Sequence, residues 1–567
     1  MKNIRKILVP NRGEIAIRIF RACHEMGIRT VAVYSKEDVL SLHRSRADEA
    51  YLVGKGKKPV DAYLDIEDII RICKEHDVDA IHPGYGFLSE NAQLAKRCED
   101  EGIIFIGPKV EHLQMFGDKV NARIQAERAD IPMIPGTNGA VKDFAEVKAF
   151  AERVGLPVMI KAINGGGGRG MRRVDRMEDL KEAYDEARSE AKRAFGDEDV
   201  YVEKCILNPK HIEVQIMGDE HGNVIHLNER DCSIQRRHQK VIEMAPAWSL
   251  PKKLRQNICA AALKIMKNVH YVNAGTVEFL ADQDEEHFYF IEVNPRVQVE
   301  HTVTEAITDI DIVKTQILVA EGHALSDPEI GIKSQEDIPC NGVAIQCRIT
   351  TEDPQNNFMP DTGKINDYRS GGGPGIRLDA GTAYTGAVIT PYYDSLLVKV
   401  TAHANNAPET IYRMLRCLDE FRIGGVKTNI YFLKNMLLDK NFQAGSCNVN
   451  YIDHHPDLLN APQVIDEPAA GLLAYIGEVT VNGFHGNGSN PKPRFETPVE
   501  LNAADEACPS GTRQLLEELG PEKFSKWIQD QKQVLLMDTT YRDAHQSLLG
   551  RLHVFRPGVG DGSGTHA

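Results

Sequence analysis

The first 116 residues alternate short apolar runs with amphipathic segments, and this alternation limits the possible folds more than any other feature of the chain. The apolar runs are KILVP (6–10), TVAVYS (30–35), DAIHP (79–83) and IIFIGP (103–108). After the first run, Ile15, Ile19, Ala22 and Met26 recur at helical spacing, and Gly27 then closes the helix. Strands that alternate with helices predict a doubly wound, Rossmann-like α/β domain up to about residue 116.

Two polar strings directly follow predicted strands of this domain. They are Asn11-Arg12-Gly13 and HPGYGFLSEN (82–91). Ligands of doubly wound sheets bind outside the carboxyl ends of the strands. Both strings are therefore predicted to form ligand loops.

The rest of the chain is less regular. PVMIKA (157–162) predicts a strand, NGGGGRGM (164–171) follows it, and a charged helix spans 177–195. VYVEKCI (200–206) and HIEVQIM (211–217) predict a hairpin, and residues from about 335 to 450 predict a β-rich region. Two stretches rich in turn-forming residues, HHPDLLNAPQ (454–463) and GNGSNPKPRFETP (486–498), predict linkers.

Charge and cysteine content exclude several classes of protein. A formal net charge of −15 argues against a general nucleic-acid binder. The 11 cysteines include no C-x-x-C pair, which favours reduced thiols in a cytoplasmic protein. The start, MKNIRKILVP, lacks a signal-peptide core, and no run approaches the roughly 20 apolar residues of a membrane helix. We therefore expect a cytoplasmic protein without membrane or nucleic-acid partners.

The segment TVEFLADQDEEHFYFIEVN (276–294) predicts a hairpin that places two carboxylates together. If its turn centres on Glu285, Glu278 and Glu292 lie opposite each other with Cβ atoms about 5 Å apart. Two bare carboxylates in this position repel, and a divalent cation such as Mg²⁺ resolves the repulsion. Asn294 lies on the same face and offers a further ligand oxygen. The alternative is an exposed acidic hairpin without a metal, and a register slip of one residue would separate the pair.

The string EVNPRVQVEH (292–301) extends this pattern. In an extended chain its even-numbered residues, which are all polar, lie on one face. They comprise two carboxylates, two amides and a guanidinium. This face is either an ordinary wet surface or part of a reaction site.

Two further clusters suggest phosphate chemistry. Glycines 165–168, together with Arg169-Gly170, can offer bare backbone N–H groups to phosphate oxygens, although flexible glycine loops are common. Lys161 and Lys119 are either solvated lysines or counter-charges for a polyphosphate.

The string RDCSIQRRHQKV (230–241) is unusually basic for this chain and holds Gln235, His238 and Lys240, while His211 opens a nearby strand. Taken singly, each histidine is more often structural than catalytic.

These strings together resemble the biotin carboxylases of the ATP-grasp superfamily. The resemblance covers about residues 3–452 and rests on the strings KILVPNRGEIAIRI, HPGYGFLSEN, FGDK, VMIKA, GGGGRGM, HIEVQI, FIEVNPRVQVEHTVTE, CRI and PYYDSLL. EVNPRVQVEHTVTE, FMPDTGKI and SGGGPGIRLD are most similar to the pyruvate carboxylase branch. The resemblance implies an ATP-grasp fold with a Rossmann-like N-terminal domain, a mobile lid and a β-rich C-terminal domain.

The resemblance also implies a reaction. ATP and bicarbonate give carboxyphosphate and ADP, and the CO₂ released from carboxyphosphate carboxylates N1 of biotin, as in the first half-reaction of pyruvate carboxylase. The implied cofactors are ATP, Mg²⁺ or Mn²⁺, and biotin, which acts as a substrate on a carrier domain absent from this sequence.

Site residues follow from the matched motifs. The resemblance implies metal ligands at Glu278, Glu292 and Asn294, and bicarbonate contacts at Lys240, Arg296, Gln298 and the Val299 backbone. Glu300 is implied as general base, and Arg348 as the stabiliser of charge on the biotin ureido oxygen. The implied ATP contacts are Lys119, Lys161, Gly165, Gly166, Gly167, Gly168, Glu203, Lys204, His211, Gln235 and His238. Cys232 is expected to be a packed thiol.

Beyond residue 452 the chain resembles the linker of pyruvate carboxylase and the first strand of its carboxyltransferase barrel. Arg542, Asp543 and Gln546 match pyruvate and metal contacts of that barrel, and the match ends at Leu549. The predicted domains are 1–116 (N-terminal), 117–334 (ATP-grasp, with a lid at about 133–205), 335–452 (C-terminal), 453–529 (linker or allosteric-type segment), 530–549 (first strand of a truncated barrel) and 550–567 (unmatched tail). The sequence is expected to be the front half of a larger enzyme.

Other functions stay open at this point. One is the biotin carboxylase subunit of an acyl-CoA carboxylase, although DTTYRDAHQSLL argues against it. Another is an inactive nucleotide-binding scaffold. The resemblance implies a homo-oligomer, with dimers of the biotin carboxylase domain and tetramers of the full enzyme.

Overall fold

A computed structural model describes residues 2–137, 139–163, 171–282, 286–461, 467–482 and 512–533. The chain divides into two units, residues 1–462 and 463–567. Several predicted features lie outside the described residues: Gly165, Gly166, Gly167 and Gly168 of the glycine run, Arg542, Asp543 and Gln546, most of the predicted barrel strand, and the tail.

The N-terminal part of the first unit is the predicted doubly wound domain. Its strands are β1 (Lys6–Val9), β2 (Arg29–Tyr34), β3 (Glu49–Leu52), β4 (Ala80–Ile81) and β5 (Ile104–Phe105). Its helices are α1 (Gly13–Glu25), α2 (Leu42–Arg46), α3 (Pro59–Tyr63), α4 (Ile66–Glu75), α5 (Ala92–Asp100) and α6 (Val110–Gly117). The strands form a parallel sheet in the order β3-β2-β1-β4-β5, which confirms the predicted fold class. Ile15, Ile19 and Ala22 of α1 are buried, as their spacing predicts.

A small α/β layer follows. It comprises α7 (Lys119–Arg128), α8 (Phe144–Val154), β6 (Val158–Ala162), β7 (Met171–Val174), α9 (Leu180–Phe195) and β8 (Val200–Lys204). The sheet is antiparallel in the order β7-β6-β8. Val147, Phe150, Ile160 and Val202 belong to a hydrophobic core of its own. A separate core in this segment is compatible with its predicted role as a lid.

The next segment supplies most of the large sheet. Its elements are β9 (Lys210–Gly218), β10 (Val224–Arg236), β11 (Gln239–Ala245), α10 (Lys252–Asn268), β12 (Asn273–Ala281), β13 (Phe288–Asn294), α11 (His301–Thr308) and α12 (Ile312–Glu321). The predicted hairpin of 200–206 with 211–217 is wrong, because β8 pairs with β6 whereas β9 lies between β10 and β12. Both strands already have partners in different sheets, so their closeness in sequence does not produce a ladder.

The C-terminal part of the first unit extends the same sheet. It contains β14 (Val343–Thr350), β15 (Glu352–Asp353), β16 (Met359–Pro360), β17 (Gly363–Lys364), β18 (Asp367–Arg369), β19 (Ile376–Ala380), β20 (Val388–Ile389), β21 (Leu396–Ala404), α13 (Ala407–Glu420), β22 (Arg422–Gly424), α14 (Ile430–Leu438), α15 (Lys440–Gln443) and α16 (Tyr451–His454). The eight-stranded sheet has the order β13-β12-β9-β10-β11-β14-β21-β19. It therefore crosses the predicted boundary at residue 335, and α11 packs over its strands β10, β11, β14 and β21.

The second unit contributes two described helices, α17 (Glu467–Asn482) and α18 (Thr512–Gln529). Gly520 has a φ of 74° and interrupts α18, and Pro521 follows it. Among the described residues, no helix combines the length and the apolar character that a membrane span requires.

Candidate active site

Strands β12 and β13 bring Glu278 and Glu292 together as direct partners. The predicted pairing of these two residues is confirmed. A β-bulge follows at once, so that Phe279 pairs with Phe290 and Ile291 is the extra residue on β13. Directly opposite residues share one face of a sheet, so the two carboxylates lie side by side.

The predicted extended segment over 292–301 is correct only as far as Asn294, where β13 ends. Pro295 follows and lacks the backbone N–H that a ladder needs. The polar side chains nevertheless converge in the loop that leads to α11. Gln298 Nε2 donates to Glu278 Oε1 at 2.8 Å, and Asn294 Nδ2 donates to the same oxygen at 2.7 Å.

Arg296 and Val299 lie in the same loop. Arg296 donates to Asn294 Oδ1 at 3.0 Å and also contacts Glu90 of the N-terminal loop 82–91. The Val299 carbonyl accepts a hydrogen bond from Lys399 Nζ at 2.9 Å. The loop therefore joins the end of the β12–β13 hairpin to the N-terminal domain.

Lys240 is the central cation of the site. Its ammonium lies 3.1 Å from Glu278 and 2.8 Å from Glu300, and it also contacts Glu213. Burial disfavours the charged ammonium, but the three carboxylates outweigh burial and raise the pKa of Lys240 well above its usual value. Lys240 is therefore held protonated among negative charges.

Glu300 is buried between two cations. Lys240 lies 2.8 Å from one carboxylate oxygen and Arg348 lies 3.1 Å from the other, and Arg348 also contacts Glu243. Burial and, to a smaller extent, repulsion from Glu213 would raise the pKa of Glu300. The attraction of Lys240, followed by that of Arg348, outweighs both effects and lowers this pKa. The result is an ionised, water-excluded carboxylate, which is the protonation state that a general base requires.

His211 forms a second cationic centre. Its Nε2 lies 2.8 Å from Glu278 and 3.2 Å from Glu213. Burial opposes protonation of the ring, but Glu278 and Glu213 outweigh it and raise the pKa of His211 to about 9. Lys240 and His211 also outweigh the burial of Glu278 and lower its pKa.

Glu292 lacks comparable neutralisation. Its side chain is 36% exposed, and the nearest lysine, Lys119, lies 3.9 Å away. Burial and the neighbouring Glu278 raise the pKa of Glu292, so this carboxylate gains from an added cation. Two facing carboxylates are hard oxygen ligands that fit Mg²⁺, and the adjacent Asn294 carries a third such oxygen, which accepts a hydrogen bond from Arg296 in this structure.

The other predicted nucleotide residues fall into two groups. Lys161 on β6 lies 2.6 Å from Glu203 on β8, and Arg123 on α7 lies 2.9 Å from the same carboxylate. Lys204 faces away, because its ammonium donates to the backbone carbonyls of Gly155 and Leu156 at 3.1 Å. The side chains of Glu203 and Lys161 therefore lie together where a nucleotide could contact both. Lys204 can contribute only its backbone groups on this side.

Gln235 and His238 lie where β10 turns into β11. Gln235 is buried and its amide donates to the Cys232 carbonyl at 2.9 Å. His238 is exposed in the turn, with a φ of 64°. Cys232 is buried, and burial raises the pKa of its thiol well above the usual value, in keeping with the predicted packed thiol.

Sequence reasoning missed several charged residues that support the site. They are Arg123, Glu213, Arg230 and Glu243. Arg230 is fully buried and donates to Gln298 Oε1 at 2.6 Å, which fixes that side chain. A signal was present for Glu213, because HIEVQI places polar residues at alternate positions of an apolar strand.

Family models match three consecutive parts of the chain. They are the "Biotin carboxylase, N-terminal domain" over residues 3–113, the "Carbamoyl-phosphate synthase L chain, ATP binding domain" over 118–328 and the "Biotin carboxylase C-terminal domain" over 346–454. Among curated relatives, a pyruvate carboxylase of Bacillus subtilis (strain 168) is 61% identical over 549 residues, which are 97% of this chain and 48% of the relative. The chain thus spans about half the length of the curated relatives it matches.

Solved structures agree with these matches. The biotin carboxylase domain dimer of Hydrogenobacter thermophilus 2-oxoglutarate carboxylase, in complex with MgADP, ADP and bicarbonate, is 46% identical with a TM-score of 0.75. The match covers 82% of this chain and 100% of that chain. Rhizobium etli pyruvate carboxylase T882A, with the allosteric activator acetyl coenzyme A, is 51% identical with a TM-score of 0.79, over 96% of this chain and 48% of that chain.

Proposed function

Because the chain belongs to the biotin carboxylase family, we propose that it carboxylates biotin with ATP and bicarbonate, through carboxyphosphate. One observation carries the proposal: the ionised carboxylate of Glu300 is held between Lys240 and Arg348, away from water. A base in this position can deprotonate bicarbonate, and the two cations can hold the oxyanions on either side.

The first step makes carboxyphosphate. Lys240, Arg296, Gln298 and the Val299 backbone hold bicarbonate, and Glu300 accepts its proton. The bicarbonate oxygen then attacks the γ-phosphorus of ATP, and ADP leaves in an in-line displacement. Bound Mg²⁺, or Mn²⁺, on Glu278, Glu292 and Asn294 would neutralise phosphate charge.

The second step transfers the carboxyl group. Carboxyphosphate releases CO₂ and phosphate, N1 of biotin attacks the CO₂, and the N1 proton passes to the released phosphate. Charge develops on the ureido oxygen of biotin as N1 is deprotonated. Arg348 donates to this oxygen, as an oxyanion-hole donor does.

The nucleotide is proposed to bind between the side chains of the small α/β layer and those of the large sheet. Lys119, Lys161, the glycines 165–168, His211, Gln235 and His238 contact ATP, together with Glu203 and the backbone at Lys204. Residues 133–205 act as the lid, because closure over ATP would exclude water from the labile carboxyphosphate.

We extend the proposal to the whole enzyme that this chain resembles. The chain supplies the first half-reaction of a cytoplasmic pyruvate carboxylase, which makes oxaloacetate for gluconeogenesis and anaplerosis, and its biotin is carried on a separate domain. A pyruvate carboxylase is favoured over an acyl-CoA carboxylase subunit because the pyruvate carboxylase of Bacillus subtilis matches 97% of this chain, including the linker. We also propose that this domain forms a dimer and the full enzyme a tetramer. Arg542, Asp543 and Gln546 are proposed as a remnant of the carboxyltransferase site. The domain limits predicted from the sequence are kept as part of the proposal.

The test is ADP release with Mg²⁺, ATP, bicarbonate and free biotin, omitting one component at a time. The proposal expects release to require bicarbonate and to rise with biotin. ATP binding without bicarbonate-dependent release would favour the inactive nucleotide-binding scaffold instead. Equal release with and without bicarbonate would contradict the proposed chemistry.

A further inference from the structure

Lys399 is a fully buried lysine that the proposed mechanism leaves without a role. It lies on β21, directly opposite Arg348 on β14 and Asp379 on β19. Its ammonium donates to the Val299 carbonyl at 2.9 Å and forms an ion pair with Glu14 at 3.0 Å. Lys399 therefore joins the C-terminal part of the large sheet to the loop that leads to Glu300.

The partner of Lys399 links it to a third region. Glu14 lies in the first turn of α1 and is buried, and its Oε1 also accepts a hydrogen bond from the Tyr85 hydroxyl in the loop 82–91. Lys399 Nζ lies 5.9 Å from the centre of the Tyr85 ring, close enough for a cation–π contact. One ammonium thus meets groups from α1, the loop 82–91 and the loop before α11.

Packing alone is a weak explanation for this arrangement. A buried ion pair costs desolvation energy, and a well-packed apolar pair of similar volume is often as stable or more stable. The ammonium also meets a backbone carbonyl whose peptide connects Val299 to Glu300. Holding that peptide plane fixes the backbone of both residues at once.

We propose that Lys399 is a positioning residue for the bicarbonate step. It holds the Val299–Glu300 peptide so that the Val299 backbone faces bicarbonate and the Glu300 carboxylate reaches its proton. The Glu14 carboxyl group lies 3.0 Å from the ammonium and keeps it aimed at this carbonyl. This inference rests on the proposed function, because the bicarbonate roles of Val299 and Glu300 belong to it.

The test uses the full chain with three variants: Lys399→Met, Glu14→Gln and the neutral pair Glu14→Gln/Lys399→Met. Lys399→Met removes the donor to Val299, whereas the double variant removes the same donor without leaving a buried carboxylate unpaired. Lys427→Met is the matched control, because Lys427 is an exposed lysine of the same region that pairs with Asp353. The readouts are the bicarbonate and MgATP kinetic constants, the bicarbonate affinity of the MgADP-loaded protein by calorimetry, and the thermal midpoint.

Loss of a hydrogen bond from a charged donor predicts about a 10- to 100-fold loss in kcat/KM for bicarbonate in both Lys399 variants. The MgATP KM is expected to stay within about twofold. Glu14→Gln keeps an acceptor oxygen, so its loss in kcat/KM for bicarbonate should be smaller than that of the Lys399 variants. A merely structural role would lower the thermal midpoint and leave the bicarbonate constants unchanged. A folded double variant with wild-type bicarbonate constants would therefore overturn the inference.

Failure of the proposed function is distinguishable from failure of this inference. If the wild type releases no ADP with bicarbonate, the proposed function fails, and the bicarbonate affinity of the MgADP complex then decides about Lys399. At least about a tenfold loss of that affinity in the double variant would support the positioning role. Equal affinities would contradict it, and a wild type that binds no bicarbonate would overturn both proposals.

Discussion

Glu278 and Glu292 are direct partners across the β12–β13 ladder, yet their two carboxylates have opposite electrostatic surroundings. Glu278 is buried among Lys240, His211, Asn294 and Gln298, and the two cations outweigh burial and lower its pKa. Burial and Glu278 itself raise the pKa of Glu292. One carboxylate is therefore neutralised by the protein, and the other gains most from a metal ion.

Glu292→Gln is expected to raise the Mg²⁺ concentration needed for half-maximal ADP release by about 10- to 100-fold, because the variant loses a charged ligand. Removal of Mg²⁺ with EDTA should abolish release in both proteins. A titration of Mg²⁺ at fixed ATP measures the change. Glu75→Gln, on the surface of α4, is the control. An unchanged Mg²⁺ requirement in Glu292→Gln would exclude Glu292 as a metal ligand.

Much of the fold follows from periodicity. Ile15, Ile19 and Ala22 are buried on α1 because their helical spacing leaves one apolar face to cover. The false hairpin of 200–206 with 211–217 arose because strands close in sequence usually pair. Here β8 instead completes the small sheet beside β6, a partner some 40 residues earlier whose pairing no local pattern reveals.

The candidate site was only partly predictable, because several of its residues pair with partners that are distant in the sequence. The pairing of Glu278 with Glu292 was predicted from a hairpin symmetric about Glu285. Nearer the turn the register differs from this prediction by one residue, since Phe279 pairs with Phe290, and the extra residue Ile291 brings Glu278 opposite Glu292. Glu213 has a weaker marker, the alternation of polar residues in HIEVQI, and Glu243 lies in the strand QKVIEMA without one. Their partners, Lys240 and Arg348, come from other strands of the sheet, so only the tertiary structure reveals the pairing.

Glu300→Gln is expected to reduce bicarbonate-dependent ADP release by about 10²- to 10⁴-fold, the usual contribution of a general base. ATP affinity should stay within about twofold, because Lys240 keeps Glu213 and Glu278 as counter-charges and the fold is retained. Rapid-quench measurement of ADP and a separate nucleotide titration distinguish the two effects. Turnover equal to that of the wild type would remove Glu300 from the role of base.

Arg348→Gln is expected to lower the biotin-stimulated part of ADP release by about 100-fold or more, because a donor to the ureido oxygen is lost. ATP binding should not change. The substitution also leaves Glu243 buried without its guanidinium, so the thermal midpoint should fall as well. Arg416→Gln, at an exposed pair on α13, controls for the loss of an arginine. Normal stimulation by biotin would contradict the assignment.

Buried histidines predict a loss of stability in mild acid. His43 on α2 is buried, and its Nε2 lies 3.2 Å from the Val33 carbonyl. Burial lowers the pKa of His43 to about 4, and nearby Arg12 also lowers it, while Asp38 opposes the change. The unfolded chain binds the proton near pH 6.5, its usual pKa, so the unfolded state is favoured as pH falls from about 6.5 to 4.

His43→Gln should therefore flatten the pH dependence of stability. Lowering the pH from 7.5 to 5 should reduce the free energy of unfolding of the wild type by about 2 kcal/mol through the protonation of His43 in the unfolded chain. A neutral glutamine amide that still faces the Val33 carbonyl does not titrate and so should not contribute this loss. Thermal midpoints of the wild type and His43→Gln, measured at several pH values in this range, should converge or cross as pH falls. Because His82 is also buried with its pKa lowered to about 3, some acid sensitivity should persist in the variant. Parallel curves for the two proteins would show that His43 is protonated equally in the folded and unfolded states, contrary to its burial.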